Sequence, residues 1–126
     1  MSQANPQKFV ELPEVLKRAQ EKDTILIDLR RADERKAGIM PSSQWIPFEE
    51  IEEALKSSPD QVKEKYNVEE FKKEQKIIFA CHAGMRAEKA YNMAVQEGYH
   101  NVQVYKGGWS EFSQLHPDKV IAAPGI

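Results

Sequence analysis

Cysteine is nearly missing from this chain: Cys81 is the only one in 126 residues, so no internal disulfide can staple the fold. A hydrophobic core must hold it instead, and a single domain of this length buries roughly two thirds of its unfolded surface. An excess of charge is missing too. Eighteen basic residues face twenty acidic ones, and a formal net charge of −2 provides no electrostatic reason to expect nucleic acid. No apolar run approaches the roughly 20 residues that a membrane helix needs. Residues 1–8 lack the apolar stretch of a secretory signal and the arginines of a transit peptide. The expectation is a reducing, cytoplasmic setting, a small molecule or protein thiol as substrate, and neither nucleic acid nor membrane as partner.

What is present alternates between strand-like and helix-like patterns. Residues 9–12 suit a short strand, and Pro13 suits the first turn of a helix through about Gln20. A buried strand follows at 24–29, delivering Asp28 and Arg30 to a loop. Residues 31–37 are helical in composition and stop at Gly38. A brief strand at 44–46 is closed by Pro47, and a helix at 48–55 places Phe48, Ile51 and Leu55 on one side. The polar stretch 57–75 predicts one or two short surface helices anchored by Val62, Tyr66, Val68 and Phe71. A continuous apolar strand at 77–80 precedes a helix with Ala87, Ala90, Tyr91, Ala94 and Val95 on one face and Gly98 just past its end. A fifth strand at 101–105, a Gly107-Gly108 turn and a helix at 109–115 complete the pattern, and the tail from His116 predicts a loosely held end. Such alternation implies an α/β layer structure with a parallel sheet, in which ligands bind beyond the carboxyl ends of the strands.

Cys81 lies at such an end, followed by His82, Ala83, Gly84, Met85 and Arg86 before the helix. The first turn of a helix has unpaired N–H groups and a positive dipole end, so an anion there is favoured, whether a bound oxyanion or the sulfur itself. Thiolates in such settings act as nucleophiles. A lone cysteine is otherwise commonly just a small buried hydrophobe. Here Gly84 permits a tight turn and Arg86 adds a fixed cation, so three features agree on an anion cradle. Arg86 reads as an anion-binding residue, with a plain helix-surface arginine as the alternative. His82 follows the nucleophile directly and points outward, contributing its backbone N–H. Asp28 and Arg30 read as a loop-organising pair, with Arg30 also facing the substrate as the alternative, Trp45 and Trp109 as core or rim aromatics, and Met85 as lining the pocket mouth or filling a gap. His100 and His116 have no partner at metal-ligand spacing.

These residues, in this order, resemble single-domain rhodanese sulfurtransferases. The resemblance runs through Ile27-Asp28-Leu29-Arg30 with Glu34, Gly38-Ile39-Met40-Pro41 leading to Ile46-Pro47, the Cys81 loop, and Tyr105-Lys106-Gly107-Gly108-Trp109. Glu64-Lys65-Tyr66-Asn67 and the arginine at the sixth loop position are similar to the thiosulfate:glutathione sulfurtransferase group. The resemblance implies a rhodanese-like α/β fold, a five-stranded parallel sheet flanked by helices on both faces, spanning 9–115 with flexible ends at 1–8 and 116–126. It also implies that Cys81 accepts a sulfane sulfur as a persulfide, cradled by the backbone N–H groups of His82, Ala83, Gly84, Met85 and Arg86. Thiosulfate would dock its sulfonate near Arg86, and glutathione or a protein thiol would take the sulfur, with no metal or organic cofactor. Many members carry His and Gly where Ile39 and Ser42 stand, and tryptophan where Phe112 stands; these are framework positions. Two other readings stay open: a persulfide carrier or redox-sensing module, and a cysteine phosphatase or arsenate reductase, whose loops have one residue more between cysteine and arginine.

Overall fold

Near-continuous runs of Ile, Leu, Val and Phe make strands that bury both faces, which is the requirement of a central parallel sheet. A computed structural model describes residues 7–124. Its strands are β1 (Phe9–Val10), β2 (Thr24–Asp28), β3 (Ser43–Trp45), β4 (Lys76–Ala80) and β5 (Val102–Tyr105), all parallel, in the order β1-β5-β4-β2-β3. The helices are α1 (Leu12–Ala19), α2 (Ala32–Arg35), α3 (Phe48–Lys56), α4 (Pro59–Tyr66), α5 (Met85–Gln96) and α6 (Gly108–Leu115).

Because side chains alternate along a strand, the sheet feeds two separate cores. Ile25, Ile27, Ile77, Phe79, Val102 and Val104 pack with Ile51, Leu55, Ala87, Ala90 and Ala94 from α3 and α5. Leu26, Ile78, Ala80 and Tyr105 pack on the other side with Val15 of α1 and with Trp109 and Phe112 of α6. Neighbouring strands β2 and β4 send the chain in opposite directions across the sheet, toward β3 and β5. The crevice beyond their carboxyl ends is therefore the switch point where α/β sheets bind ligands. The backbone joins there: Leu29 N–H donates to the Ala80 carbonyl at 2.8 Å.

One expectation is adjusted. The helix expected at 31–37 is one turn, Ala32–Arg35, because Gly38 takes φ +125° and turns the chain toward Ile39. The stretch 57–75 holds one helix, α4, opened by a Ser58 hydroxyl accepting from Gln61 N–H and closed by Asn67 in the left-handed region. The tail from His116 carries local structure of its own. Pro117–Lys119 form a short 3-10 turn, and Ile121 bridges Ile39 through N–H···O bonds of 2.8 and 3.1 Å. The apolar Val120 supplies the reason, packing against the second core. Residues 1–6 and 125–126 of the expected flexible ends lie outside the described residues. Among the described residues, no helix is long and apolar enough to cross a membrane.

Candidate active site

Cys81 continues the alternation of Ile77 and Phe79, so its side chain enters the core beneath α5 and is only 2% exposed. The chain then turns on Gly84, whose backbone N–H donates to the Cys81 Sγ at 3.0 Å. Gly84 has φ +98°, and a Cβ there would sit 2.8 Å from the Lys106 carbonyl oxygen. Glycine is thus required both for the turn and for the close approach. The Gly84 carbonyl accepts from Glu88 N–H at 2.9 Å, opening the hydrogen-bond ladder of α5, a helix of 12 residues. The sulfur accordingly lies near the positive end of a helix, with the Gly84 N–H donating to it.

The other expected loop residues form the rim. His82 and Ala83 are exposed, and Met85 is 74% exposed, which rules out gap filling and leaves it at the mouth of the site. The loop is held from below by α6: Trp109 N–H donates to the Cys81 carbonyl at 2.9 Å and Ser110 N–H to the His82 carbonyl at 3.0 Å.

Arg86 stands at the end of the cradle as expected, but it is not a free cation. Its Nη1 and Nη2 donate to the two carboxylate oxygens of Glu34 at 2.8 and 2.9 Å. Hydrogen bonding to Arg86 pulls the Glu34 carboxyl down to about 2, and the same pairing raises Arg86. Asp28 and Arg30 form the expected loop-organising pair, both fully buried. Arg30 uses Nε and Nη2 on Asp28 at 3.1 Å each, Nη1 on the Glu34 carbonyl at 3.1 Å and Nη2 on the Gly38 carbonyl at 2.8 Å. Four of its five N–H donors are spent inside the protein. Arg35 adds a bond to Asp28 at 3.3 Å. Two acids and three arginines leave this cluster with one positive charge in excess beside the cradle, which suits a sulfur carrying negative charge.

The tryptophans are framework. Trp45 Nε1 donates to the Arg30 carbonyl at 2.8 Å and its ring lies 4.5 Å from the Arg35 guanidinium carbon, while the Trp109 ring lies 4.3 Å from that of Arg30. Sequence reasoning missed the partnership of Glu34 with Arg86 and the burial of Arg35. The available signal was local: Glu34, three residues after Arg31, accepts the Arg31 backbone N–H at 2.8 Å as a helix-start residue does. A cavity of about 400 Å³ bordered by Val15, Leu16, Leu26, Met40, Phe112 and Lys119 includes no residue of the Cys81 loop.

Comparison with known proteins agrees with this geometry. The chain is 40% identical over 93 residues to a rhodanese domain-containing protein of Drosophila melanogaster, covering 73% of this chain and 84% of that one. It is 32% identical over 104 residues to the human thiosulfate:glutathione sulfurtransferase, covering 82% of this chain and 90% of the relative. The solved structure of the human single-domain sulfurtransferase TSTD1 superposes with a TM-score of 0.80 at 30% identity, covering 86% of this chain and 97% of that one. Residues 11–115, from just after β1 through α6, match the Rhodanese-like domain, and this chain belongs to that family.

Proposed function

We propose that this protein moves sulfane sulfur from thiosulfate to a thiol such as glutathione, carrying it on Cys81 as a persulfide. The observation behind this reading is the Gly84 N–H aimed at the Cys81 Sγ from 3.0 Å at the start of α5. Donors fixed in advance stabilise charge where it develops. The Cys81 thiolate attacks the outer sulfur of thiosulfate; the S–S bond of the donor breaks, sulfite leaves with the electron pair, and Cys81 becomes a persulfide. The negative outer sulfur is then surrounded by the backbone N–H groups of His82, Ala83, Gly84, Met85 and Arg86. A glutathione thiolate attacks that sulfur, forming glutathione persulfide and returning the Cys81 thiolate. Exposed Met85 and Ala83 border the path of the incoming thiol. The acceptor is suggested by the similarity to the human thiosulfate:glutathione sulfurtransferase, and a thiol-rich, reducing cytosol is the compartment that suits a lone unpaired cysteine.

Intact mass before and after thiosulfate, with and without glutathione, tests the reading. The wild type should gain about 32 Da at Cys81, the mass of one sulfur added as a persulfide, and lose it when glutathione is added. Cys81→Ser should gain nothing. Turnover by Cys81→Ser overturns the mechanism, and a persulfide that glutathione leaves in place favours a carrier instead.

A further inference from the structure

We infer that Glu34 is a positioning residue for sulfur transfer, and that Arg86 acts by being clamped to Glu34 and not as a ligand for the anionic donor. The inference rests on the sulfur-transfer reading and concerns how its cradle keeps its shape.

The clamp is bidentate: Glu34 Oε1 and Oε2 take Arg86 Nη1 and Nη2 at 2.8 and 2.9 Å, matching two planar groups in a fork. Glu34 is itself fixed. Its Oε1 also accepts Arg31 N–H at 2.8 Å, and its backbone carbonyl accepts Arg30 Nη1 at 3.1 Å. Arg30, 1% exposed, carries the Trp109 ring 4.3 Å from its guanidinium carbon, and Trp109 N–H holds the Cys81 carbonyl at 2.9 Å. The contacts close a ring from Cys81 through Trp109, Arg30 and Glu34 to Arg86, so both ends of the cradle are tied to one buried arginine. An α2 of a single turn has little stability of its own, and this ring is what holds it against the loop. Glu34 holds the planar fork of Arg86, so a donor sulfonate that took the same two-bond geometry would have to displace an ionised carboxylate.

Direct binding and clamping have different kinetic signatures. A ligand arginine matters more for a doubly charged donor and acts through KM; a clamp acts on the alignment of the cradle and lowers kcat alike for every donor. Glu34→Gln, Arg86→Gln and the double variant are compared with wild type on thiosulfate and on a monoanionic thiosulfonate, with thermal melting to show that each is folded. Each single change should lower kcat by about 10-fold on both donors, with KM changed less than about 3-fold, and the double variant should be no worse than either single. The charge swap Glu34→Arg with Arg86→Glu should recover part of the loss. A KM increase confined to thiosulfate in Arg86→Gln, with Glu34→Gln as active as wild type, overturns the clamp. So do fully multiplicative losses in the double variant. A wild type that moves sulfur from neither donor removes the underlying reading, a result distinct from both.

Discussion

Trp109 donates its backbone N–H to the Cys81 carbonyl at 2.9 Å, and the residue before it, Gly108, stands so close that a Cβ would lie 2.5 Å from that same oxygen. The first turn of α6 is therefore laid flat on the nucleophile's loop. That contact makes the Gly107-Gly108-Trp109 segment part of the site's architecture through its backbone.

Gly108→Ala should accordingly damage activity through the backbone. The residue has φ +60°, where an L side chain costs about 1–2 kcal/mol, and the added Cβ also meets the His82 carbonyl oxygen at 2.7 Å. Neither obstacle can rotate away. Gly98→Ala is the control, because Gly98 shares the positive φ at +89° but would meet only the Lys73 side chain, at 3.6 Å. Urea unfolding should show both variants destabilised, Gly108→Ala the more. Thiosulfate turnover should fall only in Gly108→Ala, and equal activity in the two would contradict the close-approach argument.

Asp28 is the point on which the buried charge cluster depends. It is fully buried, accepts from Arg30 N–H, Nε and Nη2 at 3.0 to 3.1 Å, and takes Arg35 Nε at 3.3 Å. Removing one member of a buried ion pair leaves an uncompensated charge and typically costs about 3–5 kcal/mol. Asp28→Ala should show a loss of that size in chemical denaturation. A loss below about 1 kcal/mol would mean that Arg30 and Arg35 find other partners or water.

Much of this was legible in the chain because it depends on short-range pattern. The buried strand at 77–80, the glycine turn at Gly84 and the amphipathic face of α5 each follow from side-chain period and glycine geometry, and together they position Cys81. The bridge at the tail has no local signal: Val120 and Ile121 form too short an apolar run to mark packing, and Ile121 pairs with Ile39, far away in sequence. The state of Arg86 was hidden for the same reason. Its charge and place could be read locally, but its partner Glu34 lies 52 residues earlier and meets it only when β2 and β4 pair.

The Glu34–Arg86 pair also predicts an acid limit. Its folded-state carboxyl titrates at about 2, below the 4.5 expected for a free glutamate, so between these values the unfolded chain binds more protons. Stability from this group is fully present above pH 4.5 and is lost as pH falls toward 2. The stability gap between wild type and Glu34→Gln should therefore be constant from neutral pH down to about 5 and shrink below it. Denaturant midpoints collected across that range check this, and a gap that widens on acidification would show that Glu34 does not stabilise the fold as a carboxylate.

Ring size separates sulfur transfer from phosphate-ester hydrolysis. Four residues, His82 to Met85, lie between Cys81 and Arg86, one fewer than in cysteine phosphatase loops. The ring is tight: the Gly84 N–H is already 3.0 Å from the sulfur, and the loop is pressed from the far side by Gly108 and by the Trp109 and Ser110 N–H groups. On the sulfur-transfer reading its donors should converge on a point suited to one sulfur atom, whereas a phosphoryl group with its oxygens needs a wider circle of N–H groups. Donors that are not aimed at the developing charge contribute little to rate. The wild type should transfer sulfur while hydrolysing an aryl phosphate no faster than Cys81→Ser does. Inserting one glycine between Gly84 and Met85 should widen the ring, lower sulfur transfer by at least about 10-fold through lost alignment, and make the remaining activity sensitive to inhibition by phosphate or arsenate. Aryl phosphate hydrolysis by the unmodified protein that disappears in Cys81→Ser would reverse the assignment, because it would show that the shorter ring admits a tetrahedral oxyanion after all.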